Sequence, residues 1–366
     1  MSSIWDLANP QLRNLPVYEP GKPIEETARE LGVHPDEIIK LASNENPLGP
    51  SPKALAALRT ALASANLYPD GGGFYLREAL AASLGVNRDQ LILGAGSNEI
   101  IEFLGHAFLD RGDEIVTSEH AFVVYKLVAA GFGARTIEVP SPDFRHDLDG
   151  IVAAITPKTR LIFIANPNNP TGTLAVQDEL DCFMERVSPH VVVVFDEAYY
   201  EYLDNPPDTL RFINDGRNVV ALRTFSKIQG LASLRVGYGI ARPELIQVLH
   251  KTRQPFNVSG LAQTAALAGL GDDEHRRETK RITDEGRDFL QTEFAALGLQ
   301  FVPSVANFVL VNVGGGAKIF RALLERRIIV RALKGYNLAA WVRISVGTME
   351  QNRRCIAALK EILATP

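Results

Sequence analysis

Lys227 closes the run Thr224-Phe225-Ser226-Lys227, Arg235 follows eight residues later, and Asp196 stands upstream at the end of the apolar run Val191 to Phe195. A lysine amine condenses with an aldehyde. A guanidinium flanked by hydroxyls suits a phosphate dianion, and Thr224 and Ser226 supply the hydroxyls beside Arg235. A carboxylate at the mouth of a buried strand needs a cationic or donor partner. Pyridoxal 5'-phosphate carries an aldehyde, a phosphate and a protonatable ring nitrogen, and its enzymes hold it by a lysine with an acidic group at that nitrogen.

Two further motifs fit the same cofactor. In Asn166-Pro167-Asn168-Asn169-Pro170-Thr171-Gly172 two prolines and a glycine fix a turn that can present an amide rigidly. Gly94-Ala95-Gly96-Ser97-Asn98-Glu99 follows a strand and opens a helix, where free backbone N–H groups attract phosphate. It is not a dinucleotide fingerprint, because Glu99 stands where the third glycine belongs. Ser97 and Asn98 are therefore assigned to the cofactor phosphate.

The elements that must position these residues are legible as alternating patterns. Runs at 91–93, 114–117, 136–139, 161–164, 191–195, 219–222 and 237–240 read as strands, with helices such as 97–109 and 177–187 between them. Several strands are apolar at successive positions, as expected where helices cover both faces of a sheet. The fold class is α/β: a large domain with a mostly parallel central sheet, whose ligands bind at the carboxyl ends of the strands. A smaller α+β domain is expected from the C-terminal third and the N-terminal arm, with strands at 306–313 and 342–346. The arm is punctuated by Pro10, Pro16, Pro20 and Pro23 and has one short helix at 24–31. The expected division is an arm at 1–43, a cofactor-binding domain at 44–260 and a small domain at 261–366.

On these motifs the sequence resembles the aspartate-aminotransferase-like (fold type I, class I/II) pyridoxal-phosphate-dependent transferases. Within them it resembles the histidinol-phosphate aminotransferases over nearly the whole chain. The resemblance implies a Schiff-base lysine at Lys227, with Thr224, Ser226 and Arg235 on the phosphate. It places Asp196 on the pyridinium nitrogen, Tyr199 and Asn169 on the ring oxygen, and Phe122 stacked on the ring. Asp196, Tyr199 and Lys227 form the expected catalytic set. Glu197 and Tyr200 are read as helix-start polarity and packing.

The run Leu41 to Pro50 is similar to the opening signature of that family, which implies that Asn44 and Asn46 lie near substrate. Tyr18, in the arm, matches a tyrosine that closes over it. Tyr68, in Tyr68-Pro69-Asp70-Gly71-Gly72-Gly73, matches a residue that reaches the neighbouring subunit's cofactor phosphate, so a homodimer with shared sites is implied. Arg343, in Val342 to Thr348, matches the carboxylate-binding arginine of the wider family, and Arg331 is the expected second fork for a phosphate. The implied reaction exchanges the amino group of histidinol phosphate with 2-oxoglutarate, a step of histidine biosynthesis. Gln229 and Ser233 depart from the family pattern beside the cofactor. An aromatic amino-acid aminotransferase, a threonine-phosphate decarboxylase and a cofactor-binding regulator remain as alternatives.

Composition sets the outer limits. The chain has 366 residues, 46% hydrophobic and 22% charged, an ordinary soluble balance with room for two domains. A net charge of −5 argues against general nucleic-acid binding. Two distant cysteines, Cys182 and Cys355, have no metal-type spacing, so no metal is expected. No secretory pattern opens the chain, and no apolar run approaches the roughly 20 residues that span a bilayer. A cytoplasmic enzyme is expected.

Overall fold

The computed structural model describes residues 3–18 and 20–364. Seven apolar runs form the large sheet: β1 (Leu91–Gly94), β2 (Glu114–Ser118), β3 (Arg135–Val139), β4 (Thr159–Ala165), β5 (Val192–Asp196), β6 (Val219–Thr224) and β7 (Gly237–Ala241). Their spatial order is β1-β7-β6-β5-β4-β2-β3. The ladders from β6 to β3 are parallel, and only β7 runs against its neighbours β1 and β6. Six carboxyl ends therefore meet on one side, the mostly parallel arrangement expected from the sequence.

Side chains alternate across the sheet, and both faces are dry. Val193 and Phe195 join a core with Leu180 and Phe183 of helix Gln177–Arg186, while Val192 and Val194 join another with Ile100 and Leu104 of helix Ser97–Phe108. Each such buried side chain stabilises the fold by roughly 1.5–3 kcal/mol. Two-sided burial explains why β5 reads as continuous valine. Helix Gly260–Leu270 belongs to the same body, its Ala262, Ala265 and Ala266 packed with Ala54, Leu76 and Leu80.

The second layer is an antiparallel sheet of β8 (Phe301–Val302), β9 (Phe308–Asn312), β10 (Arg331–Leu333) and β11 (Leu338–Ser345), ordered β10-β11-β9-β8. Its core joins Val309, Val311, Val342 and Ile344 to Leu290 and Phe294 of helix Asp273–Ala296, Leu323 of Gly316–Glu325, and Leu359 of Met349–Ala364. The N-terminal arm is tied to this layer: Ile39 and Lys40 pair in parallel with Ile328 and Ile329, and Ile39 and Leu41 enter its core. Besides helix Ile24–Leu31 the described part of the arm holds three 3-10 turns, Ile4–Asp6, Pro10–Asn14 and Pro35–Glu37. Among the described residues no helix is long and apolar enough to cross a membrane.

Candidate active site

A cavity of about 680 Å³ opens where the carboxyl ends of the large sheet face the small layer. Tyr18, Asn44, Ser97, Asn98, Phe122, Asn169, Asp196, Tyr199, Thr224, Ser226, Lys227, Arg235, Arg331 and Arg343 all line it. Asp196 is the last residue of β5, Lys227 follows β6, Ser97 opens the helix after β1, and Asn169 sits in the turn after β4.

One end is built for a phosphate. Helix Ser97–Phe108 is capped by Gly96, and no side chain bonds its first N–H groups, so Ser97 and Asn98 do not act as ordinary side-chain caps. A helix start left open toward a cavity is an anion site. Gly96 has φ of 78°, and a Cβ there would stand 2.6 Å from Arg235 Nη2. Only glycine lets the guanidinium close on that loop. Arg235 Nη1 also donates to Ser226 Oγ at 3.4 Å, and Thr224 Oγ1 donates to Ser226 Oγ at 3.0 Å.

The middle is built for a ring bearing positive charge. Asp196 is buried, which pushes its carboxyl above the usual range, while hydrogen bonds from Tyr125 Oη at 2.7 Å and the Ala198 N–H oppose the rise. Among the described residues no cationic side chain forms an ion pair with it. A cation in the cavity is the counter-charge that a buried carboxylate needs. Lys227 Nζ donates to the Ser43 carbonyl at 3.2 Å. Burial, helped by the Arg343 charge, pulls its amine down to about 8. A neutral fraction that rises from about a tenth at pH 7 to about half at pH 8 makes the amine nucleophilic. Tyr199 Oη accepts from Asn44 Nδ2 at 2.9 Å, and Phe122 stands edge-on to Tyr125. The donor set thus fits pyridoxal 5'-phosphate at its phosphate, ring nitrogen and aldehyde.

At the far wall Arg331 on β10 and Arg343 on β11 are direct cross-strand partners. Like charges directly opposite destabilise a ladder unless an anion sits between them. Arg343 is buried, donates to Asn169 Oδ1 at 2.5 Å and to the Ala42 carbonyl at 2.7 Å, and keeps its Nε without a partner. Burial and the neighbouring Arg331 charge disfavour its proton.

The chain matches the model of the family "aminotransferase class I and II" over residues 36–359. The chain belongs to the class I and II aminotransferases. Among such aminotransferases it is 55% identical to the histidinol-phosphate aminotransferase of Akkermansia muciniphila, covering 99% of this chain and all of that one. It is 50% identical to that of Moorella thermoacetica, over 95% and 90% of the two chains. The crystal structure of the Sinorhizobium meliloti histidinol-phosphate aminotransferase in complex with pyridoxal-5'-phosphate superposes with a TM-score of 0.89, at 30% identity and 98% coverage of both chains.

One sequence assignment lies elsewhere in this aminotransferase. Asn46 does not line the cavity: its Nδ2 donates to the Ile228 carbonyl at 2.8 Å and to Thr279 Oγ1 at 3.0 Å, and its Oδ1 accepts the Leu48 N–H. It clamps the residue after Lys227 instead of facing substrate. Tyr68 is 85% exposed and stacks on Phe256 at 4.9 Å, outside its own chain's cavity. Glu197 is not helix-start polarity. It is buried in an ion pair with Arg223 at 2.8 Å, accepts from Thr209 Oγ1, and Arg223 lies 3.6 Å over the Tyr200 ring. Tyr125, the donor to Asp196, was not read from the sequence. Its signal was the unmet need of a carboxylate on a two-faced strand.

Proposed function

We propose that this chain is a histidinol-phosphate aminotransferase, interconverting histidinol phosphate and imidazole acetol phosphate with 2-oxoglutarate and glutamate as the amino partners. The observation that carries the reading is the facing pair Arg331 and Arg343, since a phosphate dianion can engage two guanidinium forks. The names and full-length coverage of the relatives agree with it.

When bound, pyridoxal 5'-phosphate supplies an aldehyde that carries the amino group and a ring that accepts the electron pair released at the substrate carbon. Ser97, Asn98, Thr224, Ser226 and Arg235 would hold its phosphate, and Asp196 would keep a positive charge at its ring nitrogen. Lys227 Nζ would hold the cofactor at its aldehyde, and as a free amine it would serve as the general base for the proton at the substrate carbon. An amine drawn down to about 8 suits both tasks near neutral pH. Tyr199 and Asn169 would position the ring oxygen, and Phe122 would cover the ring. Arg331 and Arg343 orient substrate by its phosphate, or by the carboxylates of glutamate in the second half-reaction, while Tyr18 covers the entrance.

Exposure of Tyr68 beside Phe256, with Leu67 and Tyr75 also largely exposed, supports a homodimer in which Tyr68 completes the partner's phosphate site. A cytoplasmic setting is in keeping with the free thiols of Cys182 and Cys355. The test compares histidinol phosphate, phenylalanine and threonine phosphate as amino donors. Histidinol phosphate should give the highest kcat/KM. Preference for phenylalanine, or release of CO2 without 2-oxoglutarate, would overturn the assignment.

A further inference from the structure

Asn44 is held from several sides by neighbouring residues. It is buried, with φ of 54°, a conformation that asparagine tolerates better than most residues. Its N–H donates to Ser345 Oγ at 2.8 Å, and that hydroxyl donates back to Asn44 Oδ1 at 2.9 Å. Its carbonyl accepts from Asn307 Nδ2 at 3.0 Å. The reciprocal pair with Ser345 turns the amide so that Nδ2 faces Tyr199 Oη at 2.9 Å. Ser345 lies two residues beyond Arg343 on β11, so the strand that bears the substrate-facing arginine also sets this amide.

We propose that Asn44 is a positioning residue for Tyr199: by donating to the phenol oxygen it turns the Tyr199 O–H proton into the cavity and makes it a stronger donor. The physical reason is cooperativity. A hydroxyl that accepts a hydrogen bond polarises, and its own proton becomes more available in a dry site. The surrounding charges are consistent with that role. Burial pushes the Tyr199 phenol up to about 12, while Arg343 and the Asn44 amide pull against it and Asp196 and Tyr336 push with it. Lys227 Nζ stands 5.8 Å from the ring centre, and Phe308 packs edge-on as an uncharged wall. Among these groups Asn44 is the one hydrogen-bonded to the phenol oxygen.

The inference rests on the assignment of Lys227 and Tyr199 to the cofactor. The test is the visible absorbance of the bound cofactor against pH, with no amino donor present. Asn44→Gly removes the amide and accepts the positive φ without strain. It should raise the midpoint of the spectral transition by about half to one pH unit, the equivalent of one ordinary hydrogen bond. Tyr199→Phe should raise it further, and Asn44→Gly added to Tyr199→Phe should raise it no more. Should the glycine variant not fold, Asn44→Asp keeps shape and backbone preference but presents oxygen where the N–H stood, and the same comparison applies. A midpoint unmoved by either variant, or moved equally in the Tyr199→Phe background, overturns the proposal. A wild-type band that survives Lys227→Ala instead overturns the cofactor assignment beneath it.

Discussion

Replacing Arg331 by alanine removes one of two guanidinium groups that face each other across the β10–β11 ladder. A carboxylate can be gripped by Arg343 alone, which is buried and held by Asn169 and Ala42. A phosphate dianion needs both forks. Losing hydrogen bonds to a charged ligand costs roughly 1.5–3 kcal/mol, and 1.4 kcal/mol is about tenfold. Arg331→Ala should therefore lower kcat/KM for histidinol phosphate by about tenfold to a hundredfold. Arg331 is only partly buried, so water screens it and the lower half of that range is favoured. Phenylalanine, which offers one carboxylate, should lose about threefold or less on the same scale. Arg343→Ala should damage both donors. The single-turnover half-reaction, read from the cofactor's absorbance in a phosphate-free buffer, is the right assay, because it omits the second substrate that would occupy the same arginines. Arg331→Lys, a charge without a planar fork, should recover only part of the loss. An equal fall for both donors would refute the two-fork reasoning.

Three other outcomes follow from the site and its supports. Lys227→Ala should give a colourless, inactive protein. In the cofactor-free wild type, an amine pulled down to about 8 should capture cofactor roughly tenfold faster per pH unit up to that point and then level off; a flat stopped-flow profile across this range contradicts it. Mixing Tyr68→Phe and Lys227→Ala subunits should restore activity, because a hybrid dimer holds one intact site; a fully active monomer by sedimentation excludes the shared arrangement. Arg223→Ala leaves Glu197 buried and unpaired and should cost about 3–5 kcal/mol in urea unfolding. Arg223→Met with Glu197→Leu should recover most of it.

In the large sheet the strands other than the edge strand β3 were legible as apolar runs, and all seven end within one or two residues of the sequence reading. In the small layer β11 begins at Leu338, four residues before the reading, and the short strands β8 and β10 were not read. The direction of β7 was not legible, since the run Gly237 to Ala241 says nothing about which way the chain returns. The pairing of Ile39–Lys40 with Ile328–Ile329 is too short to leave a period. Lys227, Asp196 and Asn169 could be placed because each follows an apolar run, at a carboxyl end; Arg235 comes just before β7, whose amino end reaches the same side because that strand runs against β6. The supports could not be placed. Tyr125 lies 71 residues from Asp196 and Arg223 lies 26 from Glu197, separations at which no local pattern announces a contact. Asn44 and Asn46 looked alike in sequence, yet the turn between them sends one amide to Tyr199 and the other to Ile228. Ser345 was within reach of the reading, because the period of two along β11 places it on the same face as Arg343.

The bond between Asn44 and Ser345 joins residues 301 positions apart. A nascent chain makes the first of them early and must wait for nearly all the rest before the second emerges. Until then Tyr199 lacks its amide and the arginine pair does not exist, so no fragment can hold ligand as the whole does. The substrate end of the site is therefore the last part to be assembled. A ligand bound across these distant segments favours the folded state by mass action and so holds together parts of the chain that are made far apart in time.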